Sequence, residues 1–117
     1  PKCSNSKGEK AIAKYLSQHN IKFKEQYRFE DCKFYNKLPF DFYIPSLNIA
    51  IEYDGIQHFE LTDFANKGKE WTLNSFINTK IRDTIKNKYC KDNNIRLIRI
   101  PYWELDNIEK ILDEILN

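Results

Sequence analysis

No run of apolar residues in this chain approaches the roughly 20 that a membrane helix needs, and nothing at its start reads as a leader segment. The expectation is a soluble, intracellular protein with no membrane partner. Cysteine is scarce: Cys3, Cys32 and Cys90 are odd in number and far apart, which shows neither a disulfide framework nor a complete zinc site. An excess of one charge is lacking as well. The formal net charge of +2 is too mild to imply a nucleic-acid partner by itself. There is no internal repeat and no low-complexity tract. A length of 117 residues leaves no room for two domains and fits one compact α/β domain. With 41% hydrophobic and 15% aromatic residues, the chain can build a real core.

The pattern of apolar residues orders the chain. Ser6-Lys7-Gly8-Glu9 reads as a capping box that opens a helix carrying Ala11, Ile12, Tyr15 and Leu16, and His19-Asn20 closes it. Ile21, Phe23, Tyr27 and Phe29 mark a strand, and residues 31–37 a polar connection. Two strands follow at 38–44 and 49–54, joined by the turn Pro45-Ser46-Leu47-Asn48. Residues 59–72 are the least regular part. A helix is expected over 73–91, with Ile77, Ile81, Ile85 and Tyr89 four apart, then a strand at 95–100 ended by Pro101 and a last amphipathic helix from Leu105 to Leu116. The order α, β, β, β, α, β, α predicts a mixed sheet flanked by helices.

Three carboxylates on the central hairpin stand out. If Ile44 pairs with Ile49, Asp41 lies opposite Glu52, and Asp54 sits two residues further on the same face, while Phe40, Phe42, Ile51 and Tyr53 point the other way. Like charges facing each other across a strand pair are destabilising. Either one carboxyl stays protonated or a cation sits between them, and magnesium, a hard cation that prefers carboxylate and water oxygens, suits the position. Against this stands an alternating strand with one wet face, since a slip of one residue would part the carboxylates.

Beyond Asp54, Gly55 permits a sharp exit that could turn Gln57 and His58 back over the acids. His58 could then serve as a general base or as a metal ligand. His19, at a helix end, is read as a C-cap partner instead. Glu9 shares a helical face with Ile12 and Leu16; capping already accounts for it, and a catalytic role is the alternative. Asp83 and Lys86 are adjacent on the long helix, either at the site's edge or as a surface ion pair. Lys67, Lys69, Lys80, Arg82, Lys86, Lys88 and Lys91 crowd one stretch, which is a solvated face or a phosphate-contacting surface. Trp71, Tyr102 and Trp103 could wedge into base steps or pack at the core's rim.

Pro39-Phe40-Asp41 followed by Glu52-Tyr53-Asp54 resembles the PD-(D/E)XK nuclease pattern. The fuller strings Phe40-Asp41-Phe42-Tyr43-Ile44-Pro45 and Ile51-Glu52-Tyr53-Asp54-Gly55-Ile56-Gln57-His58 are more similar to one branch. That branch holds the very-short-patch-repair endonucleases and the phage-associated EDxHD homing endonucleases. Arg82-Asp83, Lys86, Tyr89-Cys90 and Leu97-Ile98-Arg99-Ile100 add to the likeness, which runs from Glu9 to about Trp103.

The resemblance implies a restriction-endonuclease-like mixed β-sheet flanked by helices and magnesium-dependent DNA phosphodiester hydrolysis, with manganese as an alternative metal. It implies Asp41 as the central ligand with Glu52 or Asp54 completing the site, His58 near the scissile phosphate, and a helical acid at Glu9. The expected partner is double-stranded DNA, contacted by Lys67, Lys69, Lys80, Arg82 and Lys88; a homodimer is admissible, in the cytoplasm or nucleoid of a host cell. The particular expectation is a homing endonuclease catalytic domain. A repair or junction nuclease of the same fold, or a non-catalytic nucleic-acid-binding module, are the alternatives. The sequence departs from the pattern where the lysine of (D/E)XK is replaced by Asp54, so that His58, Lys86 or the metal must stand in for it. Either Asp63 or Asp83 would complete an EDxHD-like set. Family members often carry zinc knuckles upstream. Pro1-Lys2-Cys3 could be the tail of one, making residues 1–5 a remnant and 6–117 the nuclease domain, or Cys3 could be a free thiol.

Overall fold

In the computed structural model, residues 6–61 and 68–116 are described. Cys3, Asp63 and Lys67 therefore lie outside the described residues. The elements run α1 (Lys7–Gln18), β1 (Lys24–Phe34), β2 (Asn36–Ile44), β3 (Ile49–Asp54), a 3₁₀ turn (Ile56–His58), α2 (Lys69–Asp92), β4 (Arg96–Pro101), a second 3₁₀ stretch (Tyr102–Asn107) and α3 (Ile108–Leu116). The protein is thus a mixed α/β fold with a four-stranded sheet in the order β1-β2-β3-β4. The first three strands are antiparallel, and β4 runs parallel to β3. Among the described residues no helix is long and apolar enough to cross a membrane.

The helix ends follow the expected chemistry. Ser6 Oγ accepts from the Glu9 N–H at 3.2 Å while Glu9 Oε1 accepts from the Ser6 N–H at 3.3 Å, a reciprocal capping box. His19 caps α1 at its other end and bonds the Tyr15 carbonyl through Nδ1 at 2.9 Å. Asn20 and Asn94 then take φ of +58°, the left-handed conformation that stops a helix and that asparagine tolerates.

One face of the sheet carries α1 and α3 over Phe42, Ile44, Ile49, Ile51, Ile98 and Ile100. The other carries α2 over a smaller cluster of Leu38, Phe40, Ala50, Cys90 and Ile95. The expected Ile44–Ile49 pairing is present, and the ladder continues to Phe42–Ile51. Three expectations need correcting. Residues 31–34 extend β1 rather than forming a connection, so β1 and β2 meet at the exposed Tyr35, whose φ is +68°. Phe40 does not share the face of Phe42: it lies under α2, with the Lys86 ammonium 5.1 Å from its ring. The alternation slips where the β1–β2 ladder skips Gln26 and Asp41, Gln26 having φ of +51°.

The third correction concerns α2, which begins at Lys69 and turns its apolar row outward. Leu73, Ile77 and Ile81 are 48%, 44% and 37% exposed, and only Ile85 and Tyr89 reach the core. Residues four apart drift around a helix by about 40° per step, so a row of five cannot stay on one buried face. The side chains that α2 buries are Thr72, Lys86 and Cys90. This helix puts chemistry, more than oil, against the sheet.

Candidate active site

The Asp41–Glu52 opposition forms as the hairpin register requires, but with a twist in its hydrogen bonding. Past Phe42–Ile51 the two backbones cease to pair. Instead the Asp41 N–H donates to Glu52 Oε2 at 2.6 Å, and the Tyr53 N–H donates to Asp41 Oδ2 at 2.8 Å. Each carboxylate occupies the place of a ladder acceptor. The strands splay there and the acids line the opening.

Glu52 is almost wholly buried, and its other oxygen accepts from Lys86 Nζ at 2.6 Å. Among the described residues Asp41 has no such cation. Burial, then the Glu52 charge, push its carboxyl up to about 8, with Glu9 adding to the rise and the Tyr53 N–H opposing it. Glu9 reaches Asp41 because α1 sits directly on the ring of Tyr53, with Gly8 as the point of contact: a methyl group there would lie inside the ring. Glu9 thus caps its helix and joins the site at once.

A second cluster lies further along β3. His58 Nδ1 is 2.9 Å from Asp83 Oδ2 and 3.7 Å from Asp54 Oδ1. Asp54, 5% exposed, has both oxygens engaged by Arg99 Nη1, at 3.0 and 3.2 Å. Burial works against ionising Asp83, but the His58 hydrogen bond and the charges of Arg99, His58 and Lys86 prevail and hold it below the ordinary aspartate range. Gly55 leaves β3 at an ordinary φ of −73°; Gln57 stays exposed while His58 folds inward.

Of the expected site residues, the structure joins Glu9, Asp41, Glu52 and Lys86 in one group and places Asp54 and His58 in the neighbouring one. Asp83 and Lys86 do not form a surface pair; each reaches a different partner across α2. Of the two aspartates left open, Asp83 lies against His58, and Asp63 is outside the described residues. Among the described residues no three acidic, histidine or cysteine side chains form a ready-made metal cage. The acids that lie together are Asp41 and Glu52, with Glu9 beside them.

The expected basic surface is dispersed. Lys88 pairs with Asp92 at 2.7 Å, Arg82 lies over the Phe34 ring, and Lys86 is buried. Lys69, Lys80 and Lys91 are exposed and eleven residues apart, which offsets each from the next by about 20° around α2. Lys80 is steadied by the rings of Phe59 and Phe76, 5.5 and 5.3 Å away. Arg99 and Asn87 were not singled out in the sequence. A signal was there: Arg96 and Arg99 have opposite parity on one strand, so one of them must enter a face of the sheet.

No family model matches the chain. The chain is similar to curated viral proteins. Uncharacterized protein 307L of Invertebrate iridescent virus 6 is 40% identical over 69 residues, 59% of this chain and 33% of that protein. Uncharacterized protein 033L of Invertebrate iridescent virus 3 is 34% identical over 67 residues, 57% of this chain and 32% of that protein. Uncharacterized protein 094L of Frog virus 3 is 38% identical over 79 residues, 68% of this chain and 48% of that protein. The matches span a third to about half of these relatives' lengths.

Proposed function

We propose that the protein is a metal-dependent DNA endonuclease with a restriction-endonuclease-like fold, the catalytic domain of a homing-type enzyme. One observation carries the reading: a buried, under-neutralised carboxylate pair, Asp41 and Glu52, lies beside a histidine already oriented by an aspartate, His58 on Asp83.

The donor set fits a hard divalent ion. Three carboxyl groups meet with Lys86 as their near cation, and Asp41 stays protonated near neutral pH for want of another. Asp41 and Glu52 would hold magnesium or manganese, with Asp54, bonded to Arg99, two residues further along β3. When bound, the ion would offset charge on the phosphate and acidify water. The protein's own groups supply the rest. With Nδ1–H donating to Asp83 Oδ2, the lone pair of His58 lies on Nε2, which has no partner among the described residues. That nitrogen accepts the proton of the attacking water. Lys86 pairs with Glu52 at 2.6 Å and places a buried ammonium next to the two acids, the role left vacant where Asp54 replaces the usual lysine. Lys69, Lys80 and Lys91 would follow the phosphate backbone along α2.

The test is plasmid cleavage with and without magnesium. Wild-type protein should nick or cut only with the metal present, and Asp41→Asn should abolish this while still folding. His58→Ala should slow single-turnover cleavage by on the order of 100-fold with little change in DNA binding. Full cleavage in EDTA, or by Asp41→Asn, defeats the proposal. Intact DNA binding with no cleavage by wild-type protein points to the non-catalytic module.

A further inference from the structure

Arg99 makes several polar contacts at the edge of the site. Besides holding Asp54, its Nη1 lies 3.6 Å from Asp83 Oδ1. Its Nη2 donates to the Asp83 carbonyl oxygen at 3.4 Å, and its Nε donates to Asn87 Oδ1 at 2.9 Å. One guanidinium on β4 therefore ties β3 to two successive turns of α2. A side chain there merely to cover the neighbouring Cys90 and Leu97 would be aliphatic, because burying a charged fork costs desolvation that packing does not return.

The geometry at His58 shows what the fork decides. Two carboxylates compete for Nδ1: Asp83 Oδ2 at 2.9 Å and Asp54 Oδ1 at 3.7 Å. The Asp54 oxygen nearer the histidine is the one Arg99 approaches to 3.0 Å. We propose that Arg99 is the positioning residue of His58: it holds Asp54 away from the imidazole and fixes the Asp83 turn of α2, so that the ring takes one partner, one tautomer and one orientation. Arginine is required and not merely a positive charge. Three acceptors on two elements, β3 and α2, are met by Nε, Nη1 and Nη2 of one plane, which a lysine ammonium cannot span.

This rests on His58 acting as the base in the proposed reaction, so the experiment has an arm that needs no activity. The protein contains two histidines, His19 and His58, and long-range proton–nitrogen NMR with a His19→Gln control assigns the His58 ring. Wild-type protein should show His58 as a single neutral tautomer protonated at Nδ1. In Arg99→Lys and Arg99→Met the ring should populate both tautomers or broaden by exchange. Removing the competing carboxylate as well, in Arg99→Met with Asp54→Asn, should restore the single tautomer, which a purely structural role would not do. In the kinetic arm Arg99→Lys should lower kcat by about 10- to 100-fold with KM nearly unchanged. An unaltered His58 signal in folded Arg99→Lys overturns the proposal, as does a mixed tautomer that persists in the double variant. Should Arg99→Met fail to fold, Arg99→Lys with Asp54→Asn replaces it in the rescue. If wild-type protein cleaves nothing, the nuclease reading falls, and the ring spectrum still decides what Arg99 does.

Discussion

Asp41 is the residue whose chemistry changes most on folding. Its ordinary pKa of 3.8 is raised to about 8 in the folded chain. Between those values the folded state binds a proton that the unfolded state has released. The stability this residue contributes is therefore full at low pH, falls as pH rises, and levels off above about 8. Asn at this position keeps the oxygen that accepts from the Tyr53 N–H and cannot ionise. In metal-free buffer Asp41→Asn should match wild-type stability near about pH 4 and exceed it by at least about 1 kcal/mol at about pH 8. Urea unfolding across that range measures it; parallel pH profiles for the two proteins would mean that Asp41 ionises freely. Added magnesium should narrow the gap at high pH, since only the carboxylate gains from it.

At the scale of elements, α1 meets the sheet with no side chain between Gly8 and the ring of Tyr53. Gly8→Ala adds helix propensity worth about 1 kcal/mol, but the methyl group would overlap the ring, and overpacking of this kind costs about 1–3 kcal/mol. The clash wins. The variant should be destabilised in thermal unfolding and should lose cleavage beyond what its stability explains, because Glu9 is the next residue. Tyr53→Ala in the same chain should recover part of the stability; no recovery would place the cost elsewhere. The sequence conveyed much of this level and missed part of it. Local signals did well: the Ser6–Glu9 cap, the Asn20 and Asn94 stops, and the Ile44–Ile49 register are each decided by a few neighbouring residues. The row Ile77, Ile81, Ile85 and Tyr89 misled, because its spacing is shared by buried and exposed ridges and only the sheet's length decides where burial stops. Arg99 was missed since its partners stand 12 to 45 residues away in sequence, and Phe40 was misplaced by a slip that needs the strained Gln26 backbone to be seen.

For the whole molecule, the question is how far so weakly charged a chain can hold DNA. Sequence reading of bases needs a helix or ribbon that enters a groove, and α2 instead commits its inner face to the acids. The exposed Lys69, Lys80 and Lys91 span about 33 Å of helix and offer phosphates a sequence-blind contact. Binding by this chain should be weak, with Kd of roughly 1–100 µM at physiological salt, and should fall steeply as salt rises. Replacing Lys69 and Lys80 by alanine should flatten the log–log salt slope by about 2. Fluorescence anisotropy on several unrelated duplexes is the measurement; tight, salt-insensitive binding to one of them would show that the domain reads bases itself.

The outward-facing row on α2 has a consequence for the order in which the molecule assembles. The sheet with α1 and α3 closes the larger apolar cluster without help from α2. The long helix adds Cys90, Ile85 and Tyr89 near its C-terminal end, while its middle is fastened by Asp83 to His58 and by Lys86 to Glu52. The helix is thus anchored at one end and latched by charge at its centre. The latch consists of the same residues that would perform the reaction, so opening the helix and dismantling the catalytic group are one event. Protons and salt, which act on that latch and leave an oily core untouched, become the natural agents for loosening α2 without unfolding the protein.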